Sequence, residues 1–147
     1  MIEIANLQKH YEINRSKIKE VVKVVLEKEV ESEELSIAFV DNEEIKRLNK
    51  RFLDSNEVTD VIAFPLDNKD NILSGEIVIS VEMAVEVANR KRSNVEGEII
   101  LYLVHGILHL LGYNDNNKKN AKIMHKKESE ILAFLGYNVP EVEDEFL

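Results

Sequence analysis

The chain has 147 residues, 44% of them hydrophobic and 32% charged, and a net charge of -9. That length suits one domain, 1-147, with a real core and is short for two ordinary ones. No apolar run reaches the ~18 residues of a membrane span, and Met1-Ile-Glu-Ile lacks the basic and apolar regions of a signal peptide. With no Cys, disulfide frameworks and thiolate sites are excluded, so the expectation is a cytoplasmic protein with no membrane partner. The acidic balance argues against a general nucleic-acid binder, which would be basic overall. The charge is uneven, however: acid gathers at Glu27 to Glu34 and Glu141 to Glu145, whereas residues 118 to 127 carry five lysines and no acid.

Ile2 and Ile4 alternate with polar residues, as a first strand does. Asn14 or Ser16 can cap a helix whose Ile18, Val21, Val22 and Val25 follow helical spacing. Leu35, Ile37 and Phe39 alternate as a second strand. Asp41 with Glu44 resembles a capping box, and Ile45, Leu48 and Phe52 form the next helical stripe. Residues 53 to 58 read as a loop. Thr59 to Phe64 reads as a third strand limited by Pro65, and Glu76 to Ser80 as a fourth. Asp67 to Asn71 reads as the turn between them, which makes the two strands antiparallel neighbours.

Ser80 can cap a helix bearing Val81, Ala84, Val85 and Ala88, closed by the basic Arg90-Lys91-Arg92. Asn94 opens the next helix. Its apolar residues, from Val95 to Leu111, cover most of the circumference, so it should be central and buried. A last helix runs from about Asn117 to Leu135 with Met124, Ile131 and Leu135 inward, and Gly136 ends it. The tail, residues 139-147, reads as flexible.

The most informative stretch lies late in the central helix. His105 and His109 are four apart, on one helix face and one turn apart, so both imidazoles can reach one metal ion. Gly112 can adopt the left-handed conformation that ends a helix. The returning chain then offers Asp115 as a third ligand, the order of the metzincin motif. Asp115 could instead cap the last helix, unless Asn116 or Asn117 does so. Two His and a carboxylate leave coordination positions open, the pattern of catalytic zinc sites and of some iron sites, so one ion is expected, zinc or another divalent metal. Gly106 stands where a metallopeptidase carries its general base; it leaves room for substrate or packs against the sheet. Lys118, Lys122 and Lys126 share a helix face that could contact phosphates, or could simply be solvated. Arg51 could stabilise phosphate charge. Thr59 and Asp60 could orient a liganding His, or could end the preceding loop. His125 reads as a surface residue, and His10 has no evident partner.

His105-Gly-Ile-Leu-His109-Leu-Leu-Gly112-Tyr113 resembles the signature of the YbeY family of metal-dependent endoribonucleases. Leu48-Asn49, Thr59-Asp60-Val61-Ile62-Ala63-Phe64-Pro65 and Gly75-Glu76-Ile77 are similar to further segments of that family, in order and at similar spacing. Two positions depart from its pattern. Asp115 stands where the family has a third His, and Leu53 where it has an Arg near the metal. The resemblance implies a single α+β domain: a four-stranded mixed sheet packed with about five helices around a central metal-binding helix. It also implies single-strand-specific, zinc-dependent endoribonuclease activity in rRNA maturation and ribosome quality control. Single-stranded rRNA and the small ribosomal subunit would be the partners. The residues alone leave two alternatives: a metallopeptidase-like hydrolase, or a non-catalytic ribosome-associated factor with a structural metal.

Overall fold

The computed structural model describes residues 1–27, 29–66 and 72–138. The expected turn at 67–71 and the expected flexible tail at 139–147 lie outside the described residues. The elements are β1 (Ile2–Asn6), α1 (Arg15–Leu26), β2 (Ser32–Val40), α2 (Asn42–Leu53), β3 (Val61–Pro65), β4 (Ile72–Ser80), α3 (Val81–Lys91), α4 (Val95–Leu110) and α5 (Lys118–Phe134). The four strands form one mixed sheet in the order β1-β2-β4-β3. The β1–β2 and β2–β4 pairs are parallel, and β3 runs antiparallel to β4 as expected. The architecture is the single α+β domain that the resemblance implied. No described helix is long and apolar enough to cross a membrane.

Each helix start is fixed by a side chain that accepts an otherwise orphaned backbone N–H. Asn14, Asp41, Ser80, Asn94 and Asn117 cap α1 to α5 in turn. Asn14 is thus the cap of α1, and Ser16 lies inside it. The Asp41 capping box is only half made: Asp41 accepts from the Glu44 N–H, but the Glu44 carboxylate turns to Arg47.

Alternation along the strands divides the core between two faces. Leu35, Ile37, Phe39, Leu73, Ile77 and Ile79 meet α1, α3, α4 and α5 in the main core. Val40, Ile62 and Val78 face the other way and pack on Ile45 of α2. The stripe expected on α2 stops short: Ile45 is buried, whereas Phe52 is 56% exposed and meets Phe64 edge-on at 5.6 Å. Asn49, one turn after Ile45, is the other buried residue of α2. On α5 the deeply buried apolar positions are Met124 and Leu132, with Ile131 and Leu135 at the margin.

Helix α4 touches β3, β4, α1, α3 and α5. Leu103, Val104, Ile107 and Leu108 along it are wholly buried. Near its start the buried Glu98 carboxylate accepts a 2.8 Å hydrogen bond from Lys91 of α3. At its end Gly112, with φ +104°, makes the left-handed turn. Gly112 N–H bonds to the His109 carbonyl and Tyr113 N–H to the Leu108 carbonyl, a Schellman closure. The reversal carries the chain back past the His105 and His109 side chains.

Candidate metal centre

His105 and His109 project from the same face of α4, and their Nε2 atoms are 3.0 Å apart. Asp115, brought round by the Gly112 turn, places Oδ2 3.9 Å from His105 Nε2. One donor atom from each of the three residues lies within 4.8 Å of the others. Two nitrogens each ~2.05 Å from a tetrahedral zinc would stand about 3.3 Å apart, so the imidazole pair is close to ligating separation. Asp115 is half-exposed at the surface and needs only a small adjustment. Asn117, not Asp115, caps α5, so the Asp115 carboxylate is not spent on a helix end.

The sequence reading missed the residue that orients this pair. Glu128 of α5, only 6% exposed, places Oε1 2.9 Å from His105 Nδ1. With Nδ1–H donated to the carboxylate, the Nε2 lone pair points toward His109 and Asp115. The clue was present, because Glu128 falls on the stripe of Met124 and Leu132, where an acid must be paired. Asp60 does not hold a His ring. Its carboxylate accepts the Val61 N–H at 2.8 Å and the Thr59 hydroxyl at 3.3 Å, so the pair starts β3.

The pKa values of the two rings are pushed in opposite directions. Burial lowers the His105 pKa, but the hydrogen bond and charge of Glu128, helped by Asp60 and Asp115, outweigh it, and the net shift is upward. His109 is lowered, first by burial and then by the neighbouring His105.

His105, Gly106 and His109 line one wall of a cleft of about 410 Å³. Asn49, Leu53, Glu57 and Thr59 form the opposite side, and Val61, Ile62, Ala63 and Pro65 of β3 lie between. Gly106 is explained by packing: a Cβ there would meet Ile77 Cγ2 at 2.9 Å. Arg51 does not line the cleft; it is exposed, with its guanidinium 5.2 Å from the Phe52 ring. Leu53 does line it, and no Lys or Arg stands among the described lining residues. Lys118, Lys122 and Lys126 are exposed along α5, outside the cleft. His125 is exposed, and His10 Nε2 lies 3.7 Å from Glu82.

Fold and site together define a small α+β protein with a His-His-Asp cluster whose two histidines stand on the wall of a cleft. The family model described as Endoribonuclease YbeY matches residues 3–136. Endoribonuclease YbeY of Carboxydothermus hydrogenoformans is 38% identical over 140 residues, covering 92% of this chain and 98% of that protein. That of Finegoldia magna is 34% identical, covering 92% and 94%. The solution structure of TM1509 from Thermotoga maritima is 30% identical, with a TM-score of 0.63, covering 99% of this chain and 98% of that one. The chain belongs to the YbeY family of endoribonucleases.

Proposed function

We propose that this chain is a zinc-dependent endoribonuclease that cuts single-stranded RNA during rRNA maturation in the cytoplasm, with the small ribosomal subunit as partner. The observation that carries the reading is the convergence of His105, His109 and Asp115 on one point beside the cleft. These three residues would hold the ion, and two of them, His105 and His109, line the cleft. When bound, zinc supplies an activated water and a Lewis acid for a phosphoryl oxygen.

The chain's own residues do the rest. In the neutral ring, the Glu128 carboxylate would hold the proton on His105 Nδ1 and leave the Nε2 lone pair free for the ion. β3 and the opposing Leu53 give the cleft apolar walls beside the two histidines. Arg51 on α2 and Lys118, Lys122 and Lys126 on α5, all outside the cleft, would neutralise flanking phosphates rather than the scissile one. A peptidase reading is disfavoured, because Gly106 packs on the sheet and offers no general base.

The test combines metal content by mass spectrometry with cleavage of single-stranded RNA, for wild type, His109→Ala and Asp115→Ala. Near-stoichiometric zinc, lost in both variants together with cleavage, is expected. RNA cleavage that survives both chelation and His109→Ala would overturn the reading. One observation favours a second reading, a ribosome-associated factor with a structural metal: Leu53 leaves the described cleft wall without a cation. That reading predicts ribosome co-sedimentation and bound zinc with no RNA turnover.

A further inference from the structure

The floor of the cleft is an unpaired sheet edge. Among the described residues, strand β3 is last in the sheet and pairs with β4 alone. The phase of that ladder is fixed at both ends. Ser80 N–H donates to the Asp60 carbonyl at 2.8 Å, and Leu66 N–H to the Ser74 carbonyl at 3.1 Å. Given the register Val61↔Ile79 to Pro65↔Gly75, Ile62 and Phe64 turn their backbone groups toward β4. Val61, Ala63 and Pro65 turn theirs outward, and all three line the cleft.

The outward edge is nearly stripped of donors. The Val61 N–H is taken by the Asp60 carboxylate. Pro65 has no N–H. Among the described residues, β3 is left with one outward donor, the Ala63 N–H, beside carbonyl acceptors of Val61, Ala63 and Pro65. The same strand carries the Val61 Cγ2 that would sit 3.4 Å from a Cβ at Gly106, between the two histidines in sequence.

The geometry points to a nucleobase subsite: Ala63 N–H and C=O read the Watson–Crick edge of one unpaired base next to the scissile phosphate. The inference rests on the RNA reading above and deepens it. Each of the four bases carries a donor and an acceptor side by side on that edge, so a single extended residue can match any of them. The flanking Leu53, Ile62 and Pro65 suit the apolar faces of a ring. A phosphate is a poor occupant, because three carbonyls and nearby Glu57 repel it and no cation lines the described wall. An added peptide strand is also poor, since strand addition needs repeating donors and the edge supplies one. Selectivity for single strands follows directly: in a duplex the Watson–Crick edge is already engaged.

The experiment walks one 3-methyluridine, whose N3–H is replaced by a methyl, along a short single-stranded RNA. A strand with 5-methyluridine, which keeps that edge intact, is the control. A drop in kcat/KM of about tenfold or more is expected at one register only, with 5-methyluridine tolerated there. In parallel, an unmodified oligouridylate should shift the Ala63 amide resonance of ¹⁵N-labelled protein, and its 3-methyluridine counterpart should not. If the strand is cut but 3-methyluridine is tolerated at every register, the base subsite is overturned and the nuclease reading stands. If no strand is cut and the Ala63 amide does not move, both fall.

Discussion

Gly106→Ala separates two explanations of a glycine inside a helix. If the residue exists to leave space in the cleft, alanine should stabilise the free protein by up to ~1 kcal/mol through helix propensity. The structure predicts the opposite sign. The new Cβ would stand 2.9 Å from Ile77 Cγ2 and 3.4 Å from Ile77 Cδ1 and Val61 Cγ2. The first contact falls about half an ångström short of ordinary carbon–carbon separation, ~3.5–4.0 Å. Ile77 is wholly buried, so it has nowhere to retreat. Overpacking of this kind costs ~1–3 kcal/mol. Set against the propensity gain, the net is about 1 kcal/mol of destabilisation, or roughly 2–4 °C in Tm. Urea unfolding of chelated protein measures it. Ile77→Ala removes the offending methyl, so in that background Gly106→Ala should become neutral or stabilising. A Gly106→Ala protein that gains stability in the wild-type background would refute the packing argument and return Gly106 to a role in substrate access.

Glu128→Gln keeps the shape but removes the charge that holds His105 Nδ1, so zinc affinity by chelator competition should fall about 10- to 100-fold. An unchanged affinity would remove Glu128 from the site. Lys91→Ala strands the buried Glu98 carboxylate, whose side chain is 1% exposed. Urea unfolding should show a loss of ~3–5 kcal/mol, partly recovered by adding Glu98→Gln; a loss below ~1 kcal/mol would mean that water reaches the pair. In chelated protein, NMR titration should place His105 above, and His109 below, the ordinary histidine value of ~6.5. His105, raised, contributes stability in full below that unfolded value and loses it as pH rises through its folded pKa. His109, lowered, contributes the opposite way: its neutral form favours folding above ~6.5, and that advantage is lost as pH falls through its folded pKa. Zinc must displace the His105 proton, so its affinity should weaken as pH falls through the His105 pKa.

Much of this protein is legible locally. Asn14, Asp41, Ser80 and Asn94 announce helix starts because a cap acts on the N–H two or three residues away. His105 and His109 announce a shared face because helix pitch is fixed, and Gly112 announces the reversal because a left-handed residue favours glycine. What sequence alone could not decide depends on pairings across long stretches of chain. The strand order β1-β2-β4-β3 puts β3 on an edge, a place in the sheet that its own residues do not specify. Phe52 obeys the helical period and still lies exposed, edge-on to Phe64 of the edge strand β3. Glu128 meets His105 across 23 residues, and its carboxylate is indistinguishable in sequence from a solvated one. Helical pitch and capping are properties of a few consecutive residues; which acid is buried against which base is decided only when distant elements compete for one core.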